Sequence, residues 1–311
     1  MLLKELIHQG IQTISQSYPE MEAREMVFAC LEHIIGTRRH THIVEPGYEV
    51  PQEQVASVSA AFARMAAGEP LQYVTGQAFF YGRSFHVTPD TLIPRPETEL
   101  LCRMAVDDMK IRRRTSPRIL DMCTGSGCIA WTLALELPSA ELVAVDLSEG
   151  ALSVATSQDF SEETAITGAG APIFCRADVL KSPLESVHEA ICGQFDLIVS
   201  NPPYVMDSEK ALMRSNVLDH EPHMALFVPD GDPLVFYRAV ASWASMLLAP
   251  DGAGIVEINE ALGEETAEVF RSAGFTGVRV EKDLYEKDRF VCFFATDNEN
   301  LTKNLRFLLK F

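Results

Sequence analysis

Apolar residues recur at helical spacing over roughly the first seventy residues of the chain. The first run has its apolar positions at Leu3, Leu6, Ile7, Ile11 and Ile14. This spacing of three and four residues places them on one side of a helix. The same pattern predicts a second helix over residues 22–35, ended by Gly36, and a third over residues 51–67. We therefore assign residues 1–72 to an N-terminal helical domain.

The next stretch is rich in aromatic and β-branched residues. The runs 72–76 and 79–87 are punctuated by glycines at turn spacing, which predicts a β-hairpin. Two prolines then stiffen a loop ahead of a helix predicted over residues 97–109. We assign residues 73–98 to a β-hairpin and proline-rich linker.

Polar residues at the start of that helix allow two interpretations. Thr98 or Glu97 can cap the helix, and the residue types favour this interpretation. Arg95 and Glu97 are also candidates for lining a substrate site.

From Arg118 onward, short apolar runs alternate with helical patterns. Strands are predicted at residues 118–120, 141–145, 173–175, 195–199, 254–258, 278–280 and 290–294. Helices are predicted at residues 128–137, from 149, at 233–248 and at 262–273. The alternation is typical of an α/β fold in which helices cover a mostly parallel sheet. We assign residues 99–296 to this domain, and we predict that residues 297–311 are a polar linker followed by a short basic-apolar tail.

A glycine-rich loop follows the first of these strands. It carries Asp121, Cys123, Thr124, Gly125, Ser126 and Gly127. Glycines let a backbone turn sharply and approach a ligand closely. The loop lacks the third glycine of a dinucleotide fingerprint, and Asp121 would repel a pyrophosphate but attract an ammonium group.

Two more acids follow the next two strands. Asp146 is placed to accept hydrogen bonds from ribose hydroxyls, and Asp178, with Val179 after it, is placed beside an adenine amino group. With the glycine-rich loop, these acids favour S-adenosylmethionine as the cofactor, leaving S-adenosylhomocysteine as the product.

The run Asn201-Pro202-Pro203-Tyr204 directly follows the predicted strand 195–199. Prolines cannot continue a hydrogen-bonded ladder, and the residue before a proline is kept out of the helical region. The Asn201 amide is therefore held in a stiff loop at the carboxyl end of a strand and aimed outward. A carboxamide oxygen, free carbonyl groups and the Tyr204 ring together suit a planar –NH2 group.

Composition and charge limit the choice of substrate. The chain has 311 residues and a formal charge of −18. Nucleic-acid binders usually present a basic face, so duplex DNA or RNA is disfavoured and a basic protein fits better. Seven scattered cysteines without a CxxC pair, and no long apolar run, indicate a cytoplasmic protein with reduced thiols, no membrane span and no metal site.

The glycine-rich loop, Asp146 and the Asn-Pro-Pro-Tyr run resemble class I S-adenosylmethionine-dependent methyltransferases that modify amide or exocyclic amino nitrogens. Residues 73–76, 93–99, 221–222 and 283–289 further resemble the HemK/PrmC family. The resemblance implies a Rossmann-like sheet with an antiparallel last strand. It also implies methylation of the glutamine of the Gly-Gly-Gln motif in class I peptide-chain release factors. The Arg-Pro-Glu-Thr-Glu run favours this substrate over a glutamine of ribosomal protein L3.

The resemblance also implies roles for individual residues. Asn201 and Pro202 would hold the target amide, with Pro203 and Tyr204 beside it, and the N-terminal domain would position the release factor. Cys123 departs from the glycine found in many members. A thiol fits this turn only if its φ is not positive, so we expect a non-positive φ there, with the binding role of this position kept through its backbone.

Three alternatives remain at this point. An adenine-N6 nucleic-acid methyltransferase shares the Asn-Pro-Pro-Tyr logic, because adenine N6 is also a planar –NH2. A nicotinamide-dependent oxidoreductase and a non-catalytic scaffold are the others. We expect a monomer that does not bind nucleic acid directly.

Overall fold

The computed structural model of the protein describes residues 1–185 and 189–296. The predicted tail, residues 297–311, lies outside the described residues. The chain divides into two compact units. The first comprises Met1–Gln77, Val87–Pro89 and Met213–Glu221, and the second comprises Ala78–His86, Asp90–Leu212 and the chain from Pro222 onward.

The first unit is helical, as predicted. Its N-terminal segment forms the helices α1 (Leu3–Ile14), α2 (Glu20–Ile35), α3 (Thr41–Val44), α4 (Gln52–Ala66) and α5 (Leu71–Thr75). The apolar faces of α1, α2 and α4 form one core that includes Leu6, Val27 and Phe62, and α5 packs against it. Gly10 lies at its centre, where an added Cβ would come within 2.5 Å of the Phe62 ring.

The predicted hairpin forms from fewer residues than expected. Its strands are β1 (Gln77–Phe80) and β2 (Arg83–His86), and residues 71–75 are helical instead. The prediction of a strand over residues 72–76 is therefore wrong. Pro70 starts this single turn of helix and Gly76 ends it at φ 70°, so capping outweighed the β-branched composition.

The second unit contains a seven-stranded sheet. Its strands are β3 (Arg118–Met122), β4 (Glu141–Asp146), β5 (Ile173–Arg176), β6 (Phe195–Ser200), β9 (Leu248–Glu257), β10 (Thr276–Lys282) and β11 (Asp288–Phe294). They lie in the order β10-β11-β9-β6-β3-β4-β5. The last strand, β11, runs antiparallel to both of its neighbours, while the four pairings among β5, β4, β3, β6 and β9 are parallel. The predicted fold class is confirmed.

Helices and short elements complete this unit. Its helices are α6 (Pro96–Ile111), α7 (Cys128–Glu136), α8 (Glu149–Thr156), α9 (Ser161–Thr167), α11 (His223–Leu226), α12 (Val235–Leu247) and α13 (Gly263–Ser272). The intervening helix α10 (Ser215–Leu218) belongs to the first unit. The two-residue strands β7 (Val205–Met206) and β8 (Phe227–Val228) form a separate parallel pair. Short 3-10 helices lie at Pro183–Glu185, Glu189–Ile191 and Asp207–Leu212.

Side chains alternate between the two faces of the sheet, as the pleat of a strand requires. One face packs with α6 and α7 and includes Leu197 and Ile255. The opposite face packs with α12 and α13 and forms the second core, which includes Ile198 and Val256. Both faces of the sheet are therefore covered by helices. Ligands of such sheets bind at the edge formed by the carboxyl ends of the strands.

Among residues 1–185 and 189–296, no helix is both long and apolar enough to cross a membrane.

Candidate active site

The glycine-rich loop joins the carboxyl end of β3 to α7. Gly125 and Gly127 have positive φ values of 55° and 78°. A Cβ at Gly127 would lie 3.0 Å from the Ala155 Cβ, whereas a Cβ at Gly125 would meet no atom within 4 Å. Packing thus requires glycine at position 127, while position 125 faces open space that a ligand can enter.

Cys123 adopts a positive φ of 62°, so the prediction of a non-positive φ is wrong. The loop needs a left-handed residue at this point, and the thiol is accommodated there against the second core. A non-glycine residue pays about 1–2 kcal/mol for this conformation. Burial raises the pKa of the Cys123 thiol well above its ordinary value, so it is a neutral wall of the site rather than a nucleophile.

Asp146 fixes the glycine-rich loop from the neighbouring strand β4. Its carboxylate accepts hydrogen bonds from the backbone N–H groups of Gly125 and Ser148, both at 2.9 Å. Burial raises the pKa of Asp146, and these backbone hydrogen bonds oppose the rise. Asp178, after β5, accepts from the Leu180 N–H at 3.0 Å. Both carboxyl groups therefore stand at the carboxyl edge of the sheet, as predicted from their positions after strands.

Asp121 lies beneath the loop and is fully buried. Its Oδ2 accepts a hydrogen bond from the Thr124 hydroxyl at 2.6 Å. Its Oδ1 has no hydrogen-bond partner among the described residues. Burial raises the pKa of Asp121 to about 7, although the Thr124 hydrogen bond lowers it. A buried carboxylate with a free oxygen is suited to a cationic group.

The Asn201 side chain belongs to a buried polar chain that joins three elements. Its Nδ2 donates to the Thr98 hydroxyl at 3.2 Å, and that hydroxyl donates to Glu257 Oε2 at 2.7 Å. The Tyr204 hydroxyl donates to Glu257 Oε1 at 3.0 Å. Burial raises the pKa of Glu257 above its ordinary value, and the Thr98 and Tyr204 hydroxyls counteract the rise.

The predicted capping role at the start of α6 is wrong. The residue at the N-cap is Arg95, and the structure records no side-chain capping hydrogen bond there. Thr98 lies within the first turn and points inward to Glu257, which is the better partner for a buried hydroxyl. The role of Thr98 is decided by its contact with Glu257, which lies 159 positions away in the sequence.

One cavity, partly open to solvent, brings most of these groups together. Of the predicted site residues, it is lined by Arg95, Cys123, Thr124, Gly125, Ser126, Asp146, Asp178, Val179, Asn201 and Pro203. Other predicted residues are not part of its lining, namely Glu97, Asp121, Gly127, Pro202 and Tyr204. Tyr204 instead packs against the second core with its hydroxyl on Glu257.

Sequence reasoning missed several residues of the site. Thr98, Leu92, Met224 and Phe236 line the cavity, and Glu257 anchors the polar chain. Glu257 had a usable signal, because it is a lone acid in an apolar strand and ends at the same edge as Asn201. Met224 and Phe236 come from later segments with no local sign of a ligand.

A seven-stranded sheet with a reversed last strand, a glycine loop after its first parallel strand and acids after the next two define a Rossmann-like methyltransferase. Two domain families match the chain, the PrmC N-terminal domain at residues 5–76 and the methyltransferase small domain at residues 98–225.

The chain also matches curated relatives over most of its length. It is 36% identical to a release factor glutamine methyltransferase of Flavobacterium psychrophilum, over 94% of this chain and 98% of the relative. It is 43% identical to a release factor glutamine methyltransferase of Bacteroides thetaiotaomicron, over 73% of this chain and 77% of the relative. A crystal structure of a release-factor-specific protein-(glutamine-N5) methyltransferase from Alicyclobacillus acidocaldarius is 30% identical, covers 68% of this chain and all of its own, and has a TM-score of 0.39.

The chain belongs to the release factor glutamine methyltransferase family. The family predicted from the sequence motifs is therefore confirmed.

Proposed function

We propose that this protein transfers a methyl group from S-adenosylmethionine to the side-chain amide nitrogen of the glutamine in the Gly-Gly-Gln motif of class I peptide-chain release factors. The observation that carries the proposal is the position of Asn201. It lines the cavity beside the glycine-rich loop, and its NH2 group is already engaged by Thr98. Its oxygen is thereby left to accept a hydrogen bond from a substrate –NH2.

The cavity fits a cationic cofactor. Asp146 and Asp178 line it, and Asp121 lies behind the loop with one oxygen unpartnered among the described residues. In this proposal Asp146 receives the ribose hydroxyls and Asp178 the adenine amino group, with Val179 and the loop residues as walls. Asp121 attracts the α-ammonium from behind the loop, without touching it. A pyrophosphate would meet these carboxyl groups unfavourably, which argues against a nicotinamide cofactor.

When bound, S-adenosylmethionine supplies an electrophilic methyl group on its sulfonium. The protein has to position a poor nucleophile, because the lone pair of an amide nitrogen is delocalised. Asn201 Oδ1 and the Pro202 carbonyl each accept one N–H of the target amide, which orients the nitrogen and stabilises the positive charge that develops on it. The alkylated amide then loses its extra proton without a dedicated general base.

Pro203 completes the substrate site in this proposal, and Tyr204 supports it from outside the cavity lining. Pro203 is buried and lines the cavity, and Tyr204 is held by Glu257. Arg95 also lines the cavity and is our candidate for contacting the release factor near the glutamine. Glu97, outside the lining, is a weaker candidate for the same role.

The formal charge of −18 supports a substrate that is itself an RNA-binding, basic protein. We assign the N-terminal helical domain, residues 1–72, to positioning this protein. Residues 73–98 would be the linker and residues 99–296 the catalytic domain. Cytoplasmic location, a monomeric state and the lack of direct nucleic-acid binding stay predictions of the sequence.

The test is incubation with labelled S-adenosylmethionine and four substrates, followed by mass mapping. The substrates are a class I release factor, the same factor with alanine in place of the motif glutamine, ribosomal protein L3, and adenine-containing DNA. We expect label on the motif glutamine of the first substrate only. Label on L3 or adenine in place of the release factor would contradict the proposal.

A further inference from the structure

We propose that Thr98 and Glu257 are positioning residues that fix which end of the Asn201 carboxamide faces the cavity. The inference rests on the proposed function, because it assigns a purpose to the Asn201 oxygen. It concerns residues that do not themselves touch the transferred methyl group. The carrying observation is the unbroken hydrogen-bonded chain from Asn201 through Thr98 to Glu257.

This hydrogen-bonded chain of side chains lies within the second unit. Thr98, on α6, is 2% exposed, and Glu257, the last residue of β9, is 1% exposed. Asn201 follows β6, which pairs with β9 in register up to Ser200 and Val256. Three separate elements therefore converge on one hydroxyl group, and little water is available to exchange with its partners.

The direction of the hydrogen bonds follows from the partners. A carboxylate only accepts, so Glu257 takes the single hydroxyl proton of Thr98 at one oxygen and that of Tyr204 at the other. With its proton committed, the Thr98 oxygen can only accept from Asn201. The NH2 group of Asn201 must therefore face Thr98, 3.2 Å away.

The amide orientation decides whether the site can hold its substrate. In the observed orientation Asn201 Oδ1 makes no recorded hydrogen bond to the described part of the chain and is available to the target –NH2. If the carboxamide flipped, its NH2 would confront the substrate –NH2, two donors would meet and the acceptor would be lost. Such an unpaired polar contact lowers a rate by about ten- to a hundredfold.

The carboxylate of Glu257 is required rather than any polar group. A glutamine at this position offers one oxygen and one NH2, so one of the two hydroxyls faces a donor. If that hydroxyl is Thr98, its proton turns toward Asn201 and favours the flipped amide. Thr98→Val removes the hydroxyl outright and leaves the Asn201 amide without its guide, whereas Thr98→Ser keeps it.

The experiment compares Thr98→Val, Thr98→Ser and Glu257→Gln with the wild-type protein. Thr266→Val is the matched control, because Thr266 is fully buried and its hydroxyl has no partner among the described residues. Single-turnover methyl transfer, the KM for the release factor and the Kd for S-adenosylmethionine are measured, with urea unfolding to confirm that each variant is folded.

We expect Thr98→Val to slow methyl transfer by about tenfold or more and Glu257→Gln to slow it by up to as much, with the cofactor Kd changed by less than about threefold in both. Thr98→Ser should restore most of the rate, and Thr266→Val should leave it unchanged. A Thr98→Val rate equal to wild type, or a Thr98→Ser rate as low as Thr98→Val, would overturn the proposal.

A second readout does not depend on methyl transfer. The side-chain Nδ2 protons of Asn201 are observed by NMR, assigned by their loss in Asn201→Asp. We expect one of them to be protected from exchange in the wild type and Thr98→Ser, and unprotected in Thr98→Val. Unchanged protection in Thr98→Val contradicts the network even if no release factor is methylated, so failure here is distinct from failure of the proposed function.

Discussion

The two glycines of the cofactor loop offer a matched pair of substitutions, Gly125→Ala and Gly127→Ala. Both residues have positive φ, but only Gly125 lines the cavity. At Gly127 an added Cβ would press on the Cβ and Cα of Ala155 at 3.0 and 3.3 Å, and on the Phe174 ring at 3.2 Å. The same methyl group thus tests ligand access at one position and packing at the other.

The expected losses of stability differ. Gly125→Ala pays about 1–2 kcal/mol for its left-handed backbone, partly offset by the smaller entropy of the unfolded alanine chain. Gly127→Ala pays the same cost and a further ~1–3 kcal/mol for overpacking against Ala155, whose backbone cannot move aside easily. For a domain of this size each kcal/mol lowers Tm by about 2–4 °C.

The assay is thermal unfolding together with calorimetric titration of S-adenosylmethionine. Gly125→Ala should weaken cofactor binding by about tenfold or more, since its methyl group projects into the cavity, while lowering Tm by only a few degrees. Gly127→Ala should lower Tm by roughly 10 °C and change Kd much less. The opposite pattern, with binding lost at Gly127 and kept at Gly125, would refute the assignment of this loop to the cofactor.

Two further substitutions test the electrostatics of the second unit. Burial raises the pKa of Asp121 from 3.8 to about 7, so between these pH values the folded state binds more protons than the unfolded state. The contribution of Asp121 to the free energy of unfolding therefore falls as pH rises through this range. Asp121→Asn should flatten this pH dependence in urea unfolding, and an unchanged pH dependence would refute the assignment. Arg118 donates to the carbonyls of Ala190, Cys192 and Gln194 and stacks over Phe195. Arg118→Met should therefore lower the free energy of unfolding by about 2–4 kcal/mol with no change in cofactor Kd. A loss of cofactor binding without a loss of stability would contradict this structural role.

Features set by local pattern were predictable from the sequence. The strands of the sheet, the loop between β3 and α7, and the acids after β4 and β5 all follow from short apolar runs and from the residues that directly follow them. Helix α9, Ser161–Thr167, was missed because its polar sequence shows no apolar periodicity. The helical turn at residues 71–75 was missed because its caps, rather than its composition, decide its conformation.

The polar chain behind Asn201 was not predictable in the same way. Thr98 and Glu257 are 159 positions apart, and only the packing of α6 against the sheet brings them together. A threonine in a first helical turn is more often a cap than a buried donor, so its local context pointed to the wrong role. The φ of Cys123 was mispredicted for a similar reason, because the loop path overrides the preference of the residue.

The central claim is that Asn201 positions the target amide rather than the cofactor. Single-turnover methyl transfer to a class I release factor and equilibrium binding of S-adenosylmethionine, measured for Asn201→Ala beside the wild-type protein, test it most directly. We expect transfer to slow by about 10²-fold or more with cofactor affinity nearly unchanged. Transfer at close to the wild-type rate would contradict the claim.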